Sequence, residues 1–380
     1  MKILFVATVV KKHIMEFHIP YLEFFKSNKW ETAVAARNDY ENAEECKIPF
    51  CDSYYELPFE RFPFHFNNII AYRKLKKIID TEEFDIVHCH TPVGAMIGRL
   101  ACIRARKKGT KVIYTAHGFH FFKGASLTNW LFFYPIERLA ARFTDLLITI
   151  NQEDYNRAKK FKAKEIVYVP GVGIDLQKFS ADKKERKTKR QELGIRDDDI
   201  VFLSVGELIP RKNHEIVLRA IAELKDNVNY KHIHYVICGS GILYDQLVKL
   251  TCELGIKEKV SFLGYRNDIA EICNVSDVFV FMSKQEGLPV ALMEAMACGL
   301  PVVCSNVRGN TDLVKNGVNG YVVDINLNDL VQCLSTICSN DNGLPTLAIN
   351  ALQSIKKYDI LEVKEEMRII YEHVSGKKLV

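Results

Sequence analysis

The sequence predicts an α/β chain of two parallel-sheet domains. Three observations predict it. Apolar runs of strand length alternate with helical periods along the whole chain, the pattern of a parallel sheet with helices on both faces. One turn-rich stretch at 170–175, Pro-Gly-Val-Gly-Ile-Asp, interrupts that alternation and reads as a hinge. At 380 residues the chain is long enough for two full cores.

In order, the first half predicts strands at 2–7, 31–36, 85–89, 111–116, 145–150 and 166–169. Helical periods fall between them at 67–80, 93–108 and 151–161. After the hinge comes a charged stretch, 182–190, read as a solvated helix or loop. The second half repeats the layout without repeating the sequence. Its strands are expected at 200–205, 233–238, 260–263, 278–282, 301–304 and 320–323. An amphipathic helical pattern closes the chain at 360–374.

Composition narrows the class. Hydrophobic content of 48% and charged content of 26% are ordinary for a globular protein. The first strand carries a single Lys and is too short for a secretory signal. No run approaches the roughly 20 apolar residues of a membrane span. A cytoplasmic location is therefore expected. The 11 Cys fit a reducing compartment, since Cys89, Cys238 and Cys304 lie in apolar strands. No CxxC and no His/Cys spacing of a metal site occurs, so no metal and no cofactor is expected. The Asp-x-Asp at Asp197 and Asp199 reads as a solvated turn before a strand. Charge is uneven. Residues 1–170 hold 26 Lys+Arg against 19 Asp+Glu, net +7, and the remainder holds 26 against 28, net −2. A basic half suits an anionic membrane surface. No nucleic-acid motif accompanies it.

The most informative stretch is Glu286-Gly-Leu-Pro-Val-Ala-Leu-Met-Glu294. Gly287 and Pro289 mark a helix start, and Cys298-Gly299 its end. Glu286 then precedes the helix and Glu294 lies about a turn inside it. The N–H groups of Leu288, Val290 and Ala291 form an anion site at the positive dipole end. A diphosphate flanked by two hydroxyl-binding carboxylates describes a nucleotide-sugar. Upstream, Gly206-Glu-Leu-Ile-Pro-Arg211-Lys212-Asn213 joins a strand to a helix with Asn213 as its N-cap. Arg211 and Lys212 thus sit at a strand's carboxyl end, where open sheets bind ligands. Arg offers a bidentate fork to a diphosphate and Lys a point charge.

With Gly239-Ser-Gly241 and Gly264-Tyr-Arg266-Asn-Asp268 in the expected order, these elements resemble the C-terminal half of family 4 retaining glycosyltransferases. The resemblance covers nearly the whole chain. It implies the GT-B fold, two Rossmann-like domains facing across a cleft. Domain one would span 1–170 and bind acceptor. Domain two, 171–357, would bind the nucleotide-sugar. A last helix, 358–380, would cross back onto domain one. The resemblance gives Arg211 and Lys212 the diphosphate, Glu294 the ribose, Glu286 the transferred sugar, and Gly206 and Gly239 room for phosphates. Arg266 falls near the base. His117, at the end of the 111–116 strand, would contact the donor sugar.

The N-terminal half looks most like the subgroup that builds bacterial capsule and exopolysaccharide units on lipid carriers. That implies a UDP-sugar donor, N-acetylhexosamine first and hexose second, and a polyprenyl-diphosphate-linked acceptor at the inner face of the cell membrane. The alternatives are a UDP-sugar epimerase of GT-B shape and a non-catalytic nucleotide-binding partner. One departure stands out. Where most members carry Gly-Gly in the first loop, this chain has a bulkier Thr8 to His18 segment. His13, Glu16 and His18 there are candidates for the acceptor, and the alternative is that Phe17-His18 belongs to the following helix. The aromatics from Phe119 to Tyr134, with Phe121 and Phe122 foremost, read as a loop that meets lipid.

Overall fold

The computed structural model describes residues 1–182, 184, 186–227, 229–339 and 343–379. The chain forms two compact units, Met1–Val172 with Glu362–Val380, and Gly173–Leu361.

The first unit holds seven parallel strands: β1 (Lys2–Val9), β2 (Glu31–Arg37), β3 (Ser53–Glu56), β4 (Ile86–Cys89), β5 (Lys111–Ala116), β6 (Leu146–Thr149) and β7 (Glu165–Tyr168). Their spatial order is β3-β2-β1-β4-β5-β6-β7. Successive side chains along a strand point to opposite faces, and here both faces are buried. Leu4, Val6, Val87, Val112 and Tyr114 pack into one core layer. Ile3, Phe5, Ile86, Ile113 and Ile148 pack into the other. The last helix, Ile360–Ser375, sends Val363, Met367 and Tyr371 into that second layer. The edge strand β3 was not foreseen. Its Ser-Tyr-Tyr-Glu is only half-buried, so it carries no continuous apolar run.

The second unit holds six parallel strands: β8 (Ile200–Val205), β9 (Ile233–Cys238), β10 (Val260–Gly264), β11 (Val278–Phe281), β12 (Val302–Ser305) and β13 (Tyr321–Val323). Their order is β10-β9-β8-β11-β12-β13. In each unit the crossovers leave the central pair in opposite directions. The switch points are therefore β1/β4 and β8/β11, and ligands bind outside the carboxyl ends of strands at such points.

Three expectations need correction. The aromatic stretch is not a lipid-facing loop. Phe119 and Phe121 are buried at 2% and 0% exposure in the first core layer. Asp154 accepts from the Phe119 N–H, and Arg157 donates to the Phe121 carbonyl, which ties the segment down. Phe122 is half-buried. The stretch then becomes the helix Leu127–Ala140, whose Trp130, Phe133 and Tyr134 face inward at helical spacing. Pro135 inside that helix disguised the period.

The Thr8–His18 segment is also not a loop. Strand β1 runs on to Val9, and a π-helical turn follows over Val10–Ile14. The backbone N–H groups of Lys11 and Lys12 donate to Asp39, so this chain's own carboxylate occupies the anion position there.

The charged stretch 182–190 is only partly solvated. Lys183 and Glu185 lie outside the described residues. In the helix Arg186–Glu192, Arg186 and Arg190 both pair with Asp277, and Arg190 is buried.

Candidate active site

The β8/β11 switch point gathers the cations and the first carboxylate. After β8 the chain turns at Gly206 and delivers Arg211 and Lys212 before the helix His214–Glu223. After β11 it runs through Met282 to Pro289 before the helix Val290–Ala297. The two loops are knitted together. Asn213 donates to the Met282 carbonyl, the Lys284 N–H to the Arg211 carbonyl, and Arg211 to the Gln285 carbonyl. Glu286 Oε1 accepts from Arg211 Nη1 at 3.0 Å and from Lys212 Nζ at 2.8 Å. Glu286 is buried, and so is most of Lys212, whose pKa burial pushes down. Arg211 is the exposed member, its side chain 40% accessible. The arrangement presents two positive charges on one anchored carboxylate, a fixed electrostatic surface for a diphosphate.

Gly206 does not leave open space. A Cβ there would meet the Lys212 stem at 3.3 Å, so the Lys212 methylenes fill that volume. Gly239 is demanded by backbone. A Cβ on it would lie 1.9 Å from the Gly206 carbonyl oxygen, and its φ is +150°. Asn213 occupies the N-cap position in a left-handed conformation and makes no capping bond.

No side chain caps the helix Val290–Ala297, which begins directly after Pro289 at the N-cap. Gly287 and Leu288 lead into it. Glu294 lies in its second turn. Burial raises the Glu294 pKa to about 7. Arg266 is drawn into a fork with Asp268 beside Gly264, whose carbonyl accepts from Gly239. Sequence reasoning missed the support behind Glu286. Buried Arg308 donates to the Glu286 carbonyl at 3.1 Å, and Gly309 passes so close to Gly287 that a Cβ would sit 2.6 Å from its oxygen. The Arg-Gly pair after β12 was the available signal.

The β1/β4 switch point gathers histidines. His13 comes from the π turn, His18 from the cap of the helix Ile19–Ser27, His90 from the end of β4 and His117 from the end of β5. The His18 and His90 ring centroids are 3.8 Å apart, and those of His13 and His117 4.9 Å. Burial lowers every one of these pKa values, that of His117 to about 4. His18 is only 2% exposed and so cannot meet an acceptor directly, contrary to expectation, while Glu16 is exposed. His88 was not foreseen. It bonds Tyr371 Oη at 2.7 Å and Thr115 Oγ1 at 2.8 Å, tying the last helix to the strand floor. Asp197 stays in an exposed turn, and Asp199 pairs with Arg196.

Residues 2–151 match the "Glycosyl transferase 4-like" model and residues 185–353 the "Glycosyl transferases group 1" model. The chain is 40% identical to EpsD of Bacillus subtilis (strain 168), a glycosyltransferase by name, over 85% of this chain and 84% of that one. The chain belongs to the family 4 glycosyltransferases. This transferase is also 32% identical to the UDP-Gal:alpha-D-GlcNAc-diphosphoundecaprenol alpha-1,3-galactosyltransferase of Escherichia coli, covering 78% of this chain and 77% of that one. The solved structure of Anabaena HepE with UDP-glucose matches at TM-score 0.78 and 21% identity, over 99% of this transferase and 100% of HepE. That likeness bears on fold alone, which is GT-B.

Proposed function

We propose that this glycosyltransferase moves a sugar from a UDP-sugar to a polyprenyl-diphosphate-linked acceptor, with retention, in bacterial surface polysaccharide synthesis. The observation that carries the donor half is the convergence of Arg211 and Lys212 on Glu286 beside an uncapped helix start. There the two cations stabilise the departing diphosphate, Glu294 accepts from the ribose hydroxyls and Glu286 meets the transferred sugar. The leaving phosphate helps take the proton of the incoming hydroxyl. The Escherichia coli relative's name supports the lipid-linked acceptor and, for the sugar, a hexose.

The acceptor's lipid carrier needs a membrane-facing surface on the first unit. No helix among the described residues is long and apolar enough to cross a membrane. The first unit instead exposes Phe62, Phe64, Phe66, Ile69, Leu131 and Phe132. Phe62 and Phe64 pack at 5.8 Å, and Phe64 and Phe132 at 6.1 Å, so the segment before the helix Asn67–Glu82 and the helix Leu127–Ala140 share one patch. Exposed Arg61, Arg73, Lys74 and Arg138 lie on the same segments. Exposed apolar side chains with cations on the same segments suit the interface of an anionic bilayer. In this reading the patch takes the place first given to Phe121 and Phe122.

The test is nucleotide release. Purified protein is given UDP-sugars with and without a membrane lipid extract. UDP release that needs the extract, with sugar appearing in the lipid fraction, is expected. Turnover of UDP-sugar without acceptor would instead support the epimerase.

A further inference from the structure

We infer that His13, His18, His90 and His117 form a site for one transition-metal ion of the class that imidazole prefers, with Zn2+ as the reference case. One ring nitrogen of each lies within 4.8 Å of those of the other three. His13, His18 and His90 each carry at least one buried ring nitrogen without a hydrogen-bond partner, and one ion takes one nitrogen from each ring. Leaving one buried polar atom unpaired costs about 1–3 kcal/mol, so such a concentration points to a ligand. His90 Nδ1 and His117 Nε2 are 3.4 Å apart. Zn–N bonds of about 2.0–2.1 Å in a tetrahedron require an edge of roughly that length.

The surroundings select the class of guest. His18, His88, His90 and His117 line a cavity of about 20 Å3, room for one atom-sized occupant. Its lining contains no Lys, Arg, Asp or Glu. An anion would find no cation there, and Mg2+ or Ca2+ no carboxylate. Neutral imidazoles alone favour Zn2+, Cu2+ or Ni2+. His88 is not a ligand, since Tyr371 and Thr115 hold both its nitrogens. Its ring lies 4.1 Å from that of His90 and fixes it from outside.

Metal content tests this without reference to donor or acceptor. Full-length protein is stripped with chelator, loaded with Zn2+, desalted and analysed by mass spectrometry for metal. One retained ion per chain is expected, and Co2+ loading should give visible d–d bands of a nitrogen-ligated site. H18Q and H90Q should each lower retention at least tenfold, while H373A, far from the cluster in sequence, should not. Melting curves check folding, and H117Q, at the less buried end, serves if H18Q does not fold. Absence of retained ion in the wild type, or unchanged retention in H90Q and H117Q, overturns the inference.

Discussion

Lys212 Nζ donates to Glu286 Oε1 at 2.8 Å, across 74 residues of sequence. This bond makes the two cations unequal. Arg211 is exposed and reaches the same oxygen from outside, whereas Lys212 is enclosed with its stem over Gly206. R211A should therefore leave the melting temperature nearly unchanged and raise the barrier to transfer by about 2–4 kcal/mol. K212A should lose turnover similarly and also lose about 1–3 kcal/mol of stability, because Glu286 keeps one partner fewer in a buried place. Thermal melts beside turnover numbers check both. Near-normal turnover in the double alanine variant would remove the diphosphate from this site.

In the proposed donor site, Glu294 should make nucleotide binding pH-dependent. Burial holds its pKa near about 7. The protonated form is the one the fold favours, so its contribution to stability is full at low pH and fades as pH rises through that value. Binding has the opposite sign. Ribose hydroxyls donate to the carboxylate, so UDP affinity should rise from about pH 6 to about pH 8 as the proton leaves. UDP's own titration appears in E294Q as well, so the difference between the two calorimetric profiles belongs to Glu294. Identical profiles would sink the ribose role.

Chelator should not affect the donor site. In the proposed donor site Arg211 and Lys212 would supply the charge that a divalent ion supplies elsewhere. UDP affinity measured by calorimetry should be the same with and without EDTA. A large loss, restored by Mg2+ or Mn2+, would contradict this.

The exposed patch predicts salt-resistant membrane binding. Cations act over about 8–10 Å and are screened, whereas apolar contacts are not. Flotation with anionic vesicles should fall with salt, but not to zero. F62S/F64S/L131S should remove the remainder without lowering the melting temperature. F121S should instead unfold the first unit, since Phe121 is wholly buried. Vesicle binding unchanged in the triple variant would discard the patch.

Gly239 has no tolerance. G239A places a methyl 1.9 Å from the Gly206 oxygen, so β8 and β9 must part at their carboxyl ends. A loss of at least about 1–3 kcal/mol in denaturant unfolding is expected. A melting curve like the wild type's would show that the loop can shift.

The sequence by itself determined every strand but the edge strand β3, and the strand, loop and helix pattern around Arg211, Lys212 and Glu286. Strands buried on both faces write their apolar runs plainly, as Ile200–Val205 does, and Gly-Leu-Pro before a helix writes its start. Arg211, Lys212 and Glu286 were legible because each lies in a local pattern of strand, loop and helix. Tertiary structure alone decided the rest. His13, His18, His90 and His117 carry no common spacing, since they come from three strand ends that only the β1/β4 switch point brings together. Whether an aromatic faces lipid or core depends on what packs against it, so Phe121 and Phe132 read alike in the chain and lie on opposite sides of the surface. Local propensity is written residue by residue, whereas convergence and burial belong to the sheet order that the whole chain sets.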